Sequence, residues 1–210
     1  LVIVGTALLT LPASFLMRRL GRRCGFAIGA LIGTAGGVIC ILAIQITDFW
    51  LFCLGTLLFG AATGFAQHYR FAAADVSADH FKSRAISWVI SGGIVAALLG
   101  PELAKRTHDL FGGTPYLGAF AAIAGLTIAI MALLAFLDIP LPGQTERLHS
   151  GRPLAVIVRQ PALIVAILVG MIGYGVMSLL MTATPLAMVG NGFVIGDAMF
   201  VIQWHMVAMF

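Results

Sequence analysis

The sequence predicts an all-α, polytopic membrane helical bundle, and three observations carry that prediction. Hydrophobic residues make up 60% of the chain and charged residues 10%, with a mean hydropathy of +1.06. A typical soluble domain holds about 25% charged residues and needs them to cover its surface. The apolar residues fall in runs of about 20, the length a helix needs to cross a hydrocarbon core of roughly 30 Å. Lys and Arg collect between those runs. Lipid admits only helices or closed barrels, and the alternating segments of a barrel are not seen.

In chain order the first span is Leu1 to Met17, followed by Phe26 to Ile46 (FAIGALIGTAGGVICILAIQI). Phe49 to Ala74, Ala85 to Ala104 and Tyr116 to Leu137 come next. Pro161 to Val189 is the sixth, and a seventh starts near Ala198 and reaches Phe210. The chain opens on Leu1 and both its ends lie in apolar stretches, so it reads as a fragment whose outer spans are truncated. Residues 1–137 are expected to form an N-terminal transmembrane bundle, and 161–210 the start of a C-terminal one. Between them, 138–160 is long and rich in Pro and Gly, as a linker would be.

The basic residues orient the bundle. Counted over successive connections there are four in 18–25, none in 47–48, two in 75–84, two in 105–115, three in 138–160 and none in 190–197. Alternate connections thus hold nine against two, which places the first, third and fifth, and with them the linker, on the cytoplasmic side of a plasma (inner) membrane. Within the spans, Gly92, Ala96 and Gly100 recur every four residues ahead of Pro101. Small residues at that spacing allow close helix packing in lipid, and these are the expected packing residues.

The densest basic cluster is PASFLMRRLGRRCGF, residues 12–26, with Arg18, Arg19, Arg22 and Arg23 inside six positions. Its run Leu16, Arg19, Gly21, Arg22 and Arg23 resembles the signature G-x-L-x-D-R-x-G-R-K of the major facilitator superfamily, found between the second and third helices. Ser14 stands where the family has Gly, and Arg18 where it has Asp. The register from Asp75 to Arg84 (DVSADHFKSR) resembles the family's D…R loop between the fourth and fifth helices. Gly100 and Pro101 are similar to the Gly-Pro of the fifth helix in proton-coupled exporters. Glu102, Leu103 and Ala104 replace the glycines expected after it, so efflux is not read from them. The early fourth-helix arginine of many members is missing from LGTLLFGAATG.

The resemblance covers the whole chain, which would run from the second helix into the eighth as part of a two-bundle major-facilitator-like fold. It implies a secondary transporter that moves a small solute by alternating access; a small organic solute and coupling to protons are the expected reading. Leu16, Arg18, Arg19, Gly21, Arg22, Arg23, Asp75 and Arg84 would form its cytoplasmic gate, a place where the family uses a charge relay through the missing Asp. The competing class is a non-transporting membrane receptor or scaffold protein, which would have the same helices without a titratable or unwound midplane.

Ionisable and polar residues inside spans are costly, so each is a candidate for solute or proton binding. Gln67 and Arg70 lie three residues apart and share a helix face with Thr63 and Gly60. Arg70 either binds an anionic solute or snorkels to the interface. Glu102 either carries a proton or forms an interfacial pair with Lys105 or Arg106. Gly170, Gly173 and Gly175 bracket Tyr174 and precede Pro185, which marks a segment where the helix is expected to unwind around solute. His205 would sit about 10 Å inside the membrane from Ala198, and histidine titrates most readily near neutral pH.

Other functions lack their residues. The chain has no HExxH, no GxxxxGK[ST] and no GxSxG, so an enzyme is not expected. Its Lys and Arg sit between apolar segments and not on a groove-binding face, which argues against nucleic acid. Cys24, Cys40 and Cys53 are an odd set without a CxxC pair, and neither a metal site nor any other cofactor is expected. The partners are the lipid bilayer, a solute and protons.

Overall fold

The computed structural model describes residues 1–107, 110–112, 114, 116–137, 139 and 154–209. They form α-helices. The chain divides into two compact units, Leu1–Gly143 and Gln144–Phe210. Of the expected linker, residues 138 and 140–153 lie outside the described residues.

The first unit holds α1 (Val2–Leu20), α2 (Arg22–Ile46), α3 (Phe49–Ala66), α4 (Tyr69–Asp75), α5 (Lys82–Thr107) and α6 (Leu117–Ala135). In the second are α7 (Leu154–Val158), α8 (Pro161–Gly190) and α9 (Ile195–Met209). Six segments among the described residues are long and apolar enough to cross a membrane: α1, α2, α3 with α4, α5, α6 and α8. With 15 residues, α9 is shorter.

Three local features differ from the sequence-based expectation. The arginine cluster is not a loop: Arg18 and Arg19 occupy the last turn of α1, Arg22 and Arg23 open α2, and Gly21 alone separates the helices. Gly21 has φ 88° and ψ 158°, backbone values that essentially only glycine adopts. The helices continue past the apolar core because long arginine stems carry their charges to water.

The third span is not continuous. It breaks at Gln67 and His68, where the His68 N–H bonds the Phe65 carbonyl at 3.1 Å, three residues back. The Gly64 carbonyl is taken by His68 Nδ1 at 3.2 Å. An imidazole thus replaces a backbone donor, as satisfaction of polar groups in lipid requires.

Conversely, the expected unwinding around Tyr174 does not occur. α8 runs unbroken from Pro161 to Gly190, through Gly170, Gly173, Gly175 and Pro185. Unwinding would expose backbone groups with few partners in an apolar segment, so the helix is the cheaper state. It ends where Gly192 takes φ 86° and Asn191 Nδ2 bonds the Ala187 carbonyl at 2.7 Å.

In the first unit α3 lies between α1 and α2, and α6 packs on α2. The core gathers Ala13 and Met17 of α1, Phe26 and Ala30 of α2, Phe65, Ala72 and Leu134. The close approaches come from α2 and α3. A Cβ built on Gly36 would stand 2.8 Å from the Gly55 carbonyl oxygen and 2.9 Å from the Phe59 nitrogen, and one on Gly60 would strike the Val2 carbonyl. Thr6 Oγ1 donates to the Gly60 carbonyl at 2.9 Å across the α1–α3 contact, and Thr34 Oγ1 to Thr127 Oγ1 at 3.0 Å across the α2–α6 contact.

The expected packing stripe on α5 meets no neighbour inside the first unit. Gly92, Ala96 and Gly100 are exposed within this unit, Pro101 is half-buried, and a Cβ on Gly92 or Gly100 would meet nothing within 4 Å. Within this unit α5 buries only Ala85 and Ala97 among the described residues. Spacing alone does not choose between faces when every face is apolar. Gly100→Ala is expected to leave the melting temperature in detergent unchanged or slightly higher, because alanine favours the helix by about 1 kcal/mol and has room. A clear drop would show that this face is covered.

Candidate gate and solute residues

The α1–α2 turn positions two guanidinium groups by elementary helix geometry. Gly21 reverses the chain, and Arg22 and Arg23 are then about 100° apart on the first turn of α2. Arg22 pairs with the carboxylate of Asp75, the last residue of α4. Arg23 Nη2 donates to the carbonyl of Ala135, the last residue of α6, at 2.7 Å. Leu16 packs against the core beneath the turn, while Arg18 and Arg19 are exposed in the last turn of α1. A cation at a helix C-terminus also meets the negative end of the helix dipole.

Asp75 thus finds its partner 53 positions back along the chain, and not in the register that ends at Arg84. Arg84 is exposed in the first turn of α5 and forms no ion pair among the described residues. The connection before α5 has its own pair, Asp79 with Lys82 at 2.7 Å. The hydrogen bond from Lys82, and then its charge, hold the Asp79 carboxyl below the ordinary range.

The intramembrane candidates separate. Gln67 and Arg70 are both exposed, but the break puts them on different elements. At 1.5 Å per residue from Phe49, Gln67 is about 27 Å and Arg70 about 31 Å along the span, near the end of a roughly 30 Å hydrocarbon core. The Arg70 guanidinium lies 5.1 Å from the centre of the Phe71 ring, a cation–π geometry. Snorkelling therefore describes Arg70 better than a midplane site.

Glu102 is likewise engaged, because Arg106 Nε donates to its Oε1 at 2.8 Å one turn on. Tyr174 is exposed on α8. His205, on α9, has a buried Nε2 with no hydrogen-bond partner among the described residues, a state that usually costs stability and asks for a reason.

Gln67, His68, Tyr69 and Arg70 form one polar cluster in the sequence, and the structure gives its two middle members the closer contacts: His68 closes the helix break through the Gly64 carbonyl. Tyr69 packs on Phe26 with ring centroids 4.5 Å apart and planes tilted by 53°, and lines an apolar cavity of about 150 Å³ between α2, α3 and α6. Thr63 and Thr127 share that cavity, whereas Gln67 and Arg70 do not line it.

Six segments among the described residues long and apolar enough to cross a membrane define a multi-pass integral membrane protein. The chain belongs to the Major Facilitator Superfamily, whose family model matches residues 1–209. Among curated proteins it is 43% identical over 209 residues to the riboflavin transporter RfnT of Brucella anthropi, which covers 99% of this chain and 52% of that protein. Two proteins of Bacillus subtilis, described as uncharacterized MFS-type transporters, are also similar. YddS is 26% identical over 98% of the chain and 51% of its own length, and YdeG 28% over 99% and 51%. The chain spans about half the length of the curated relatives it matches. No solved structure gives a significant match.

Proposed function

We propose that this chain is part of a secondary transporter for riboflavin or a closely related flavin, working by alternating access in the plasma membrane. The observation that carries the reading is the 43% identity to a riboflavin transporter along nearly the whole chain. On this reading Arg22 and Asp75, with Leu16, Arg18, Arg19, Gly21 and Arg84 around them, form the cytoplasmic gate. Gln67 and Arg70 stand at its inner mouth. Tyr174 offers an aromatic face to a planar ring system, which stacks well on such faces.

Proton coupling is assigned to His205 in preference to Glu102. The histidine has a buried, unpartnered nitrogen, whereas the glutamate is exposed and bonded to Arg106. Uptake of radiolabelled riboflavin into vesicles carrying the full-length protein tests the whole reading. Saturable uptake, displaced by unlabelled riboflavin but not by a non-flavin nucleobase, is the expected result; absence of any flavin-dependent flux would remove riboflavin as the solute. In the same vesicles, His205→Gln is expected to flatten the pH dependence of uptake, while Glu102→Gln leaves its shape intact. An unchanged profile in His205→Gln would take the proton from that residue.

A further inference from the structure

We infer that Arg23 is a positioning residue with a task separate from that of Arg22: it fastens the cytoplasmic end of α6, and so the root of the connection into the second unit, to the α1–α2 turn. The two arginines are neighbours in sequence, yet they brace different helices. Arg22 meets a side-chain carboxylate at the end of α4. Arg23 meets a backbone carbonyl at the end of α6, 112 residues away.

The Ala135 carbonyl is one of the last four of its helix, which have no partner within the helix. The next two N–H groups turn back elsewhere, Phe136 to the Leu133 carbonyl at 3.1 Å and Leu137 to Leu134 at 3.2 Å. Arg23 therefore supplies the donor for Ala135, and its charge suits that helix end. Below the contact, Leu134 and Ile139 pack with Phe26 and Met17 in the same core cluster. Apolar contact and hydrogen bond thus hold the last turn of α6 from two sides. Because 138–160 follows directly, a movement of α2 is passed to the start of the connection through Arg23 and not through the Arg22–Asp75 pair.

Hydrogen exchange at the Phe136 and Leu137 amides of the full-length protein tests the tether without any solute. Arg23→Gln is expected to speed their exchange about fivefold, since exchange follows local opening and the variant removes one of the hydrogen bonds that hold that turn. Arg22→Gln is expected to leave them at the wild-type rate. Exchange in Arg23→Gln that matches wild type, or an equal acceleration in both variants, would overturn the assignment. Should Arg23→Gln fail to accumulate, Arg23→Met keeps the aliphatic stem, loses the donor, and is read in the same way.

The transport consequence rests on the riboflavin reading: Arg23→Gln should lower the maximal rate about threefold at unchanged KM, as for one lost hydrogen bond in a conformational step, with recovery in Arg23→Lys. A raised KM with an unchanged maximal rate would count against the positioning role. Wild-type vesicles without riboflavin flux would sink the riboflavin reading and leave the exchange test standing.

Discussion

Gly60→Leu is expected to disrupt the first unit, with a melting temperature in detergent roughly 10 °C below wild type. At this point α1 and α3 touch through their backbones. A Cβ on Gly60 would overlap the Val2 carbonyl oxygen and stand 2.8 Å from the Val2 Cα, atoms that cannot rotate away. One turn on, a Cβ at Gly64 would be 3.1 Å from the Thr6 carbonyl oxygen. Separating the helices would also break the bond from Thr6 Oγ1 to the Gly60 carbonyl. Overpacking of this kind costs about 1–3 kcal/mol, and two backbones in contact place it at the upper end. Gly60→Ala should show a smaller drop in the same direction. Gly100→Leu, on an open face of α5, is the matched control and should melt near wild type. An unchanged melt in Gly60→Leu would show that α1 and α3 do not cross there.

On the proposed transporter reading, Asp75→Arg is expected to reduce transport more than tenfold while moving the melting temperature little. Arg22 and Asp75 have side-chain exposures of 22% and 55%, and a pair this open to solvent contributes about 0–1 kcal/mol to stability. A gate is more sensitive than a fold, because a shift of about 1.4 kcal/mol between its two states changes their ratio tenfold. Reversal at Asp75 replaces one attraction with repulsion at a turn that already carries Arg18, Arg19, Arg22 and Arg23. The double variant Arg22→Asp with Asp75→Arg restores opposite charges and should recover part of the rate. Uptake in vesicles for the four members of this cycle gives the coupling between the residues. Additive losses, without recovery in the double variant, would show that the pair has no role in gating.

Legibility of the candidate site varied with the kind of signal. Arg18, Arg19, Arg22 and Arg23 stood out because four charges in six positions cannot lie within hydrocarbon. The partner of Asp75 was not legible: the nearest basic register pointed to Arg84, and only the packing of α2 beside α4 brings Arg22 to it. Gly170, Gly173 and Gly175 resembled an unwound segment by composition, yet glycine merely permits unwinding, and nothing in α8 compels it. The break at Gln67 and His68 has no glycine or proline at the residues that break. It depends on a side chain accepted by the Gly64 carbonyl, a contact that composition does not register.

By itself, the sequence determined that this is a multi-span helical membrane protein, where its spans lie, and which of its turns is the arginine cluster of its superfamily. Hydrophobic length and charge count suffice for these, because every helix in a bilayer must meet them whatever its neighbours. Only the tertiary structure decided that Gly36 and Gly60 are close contacts of the first unit. It likewise gave Arg22 and Arg23 their separate partners. Those choices depend on the rotation of each helix about its axis. In lipid the outside of a bundle is as apolar as its inside, so the pattern that reveals a buried face in a soluble helix is nearly absent.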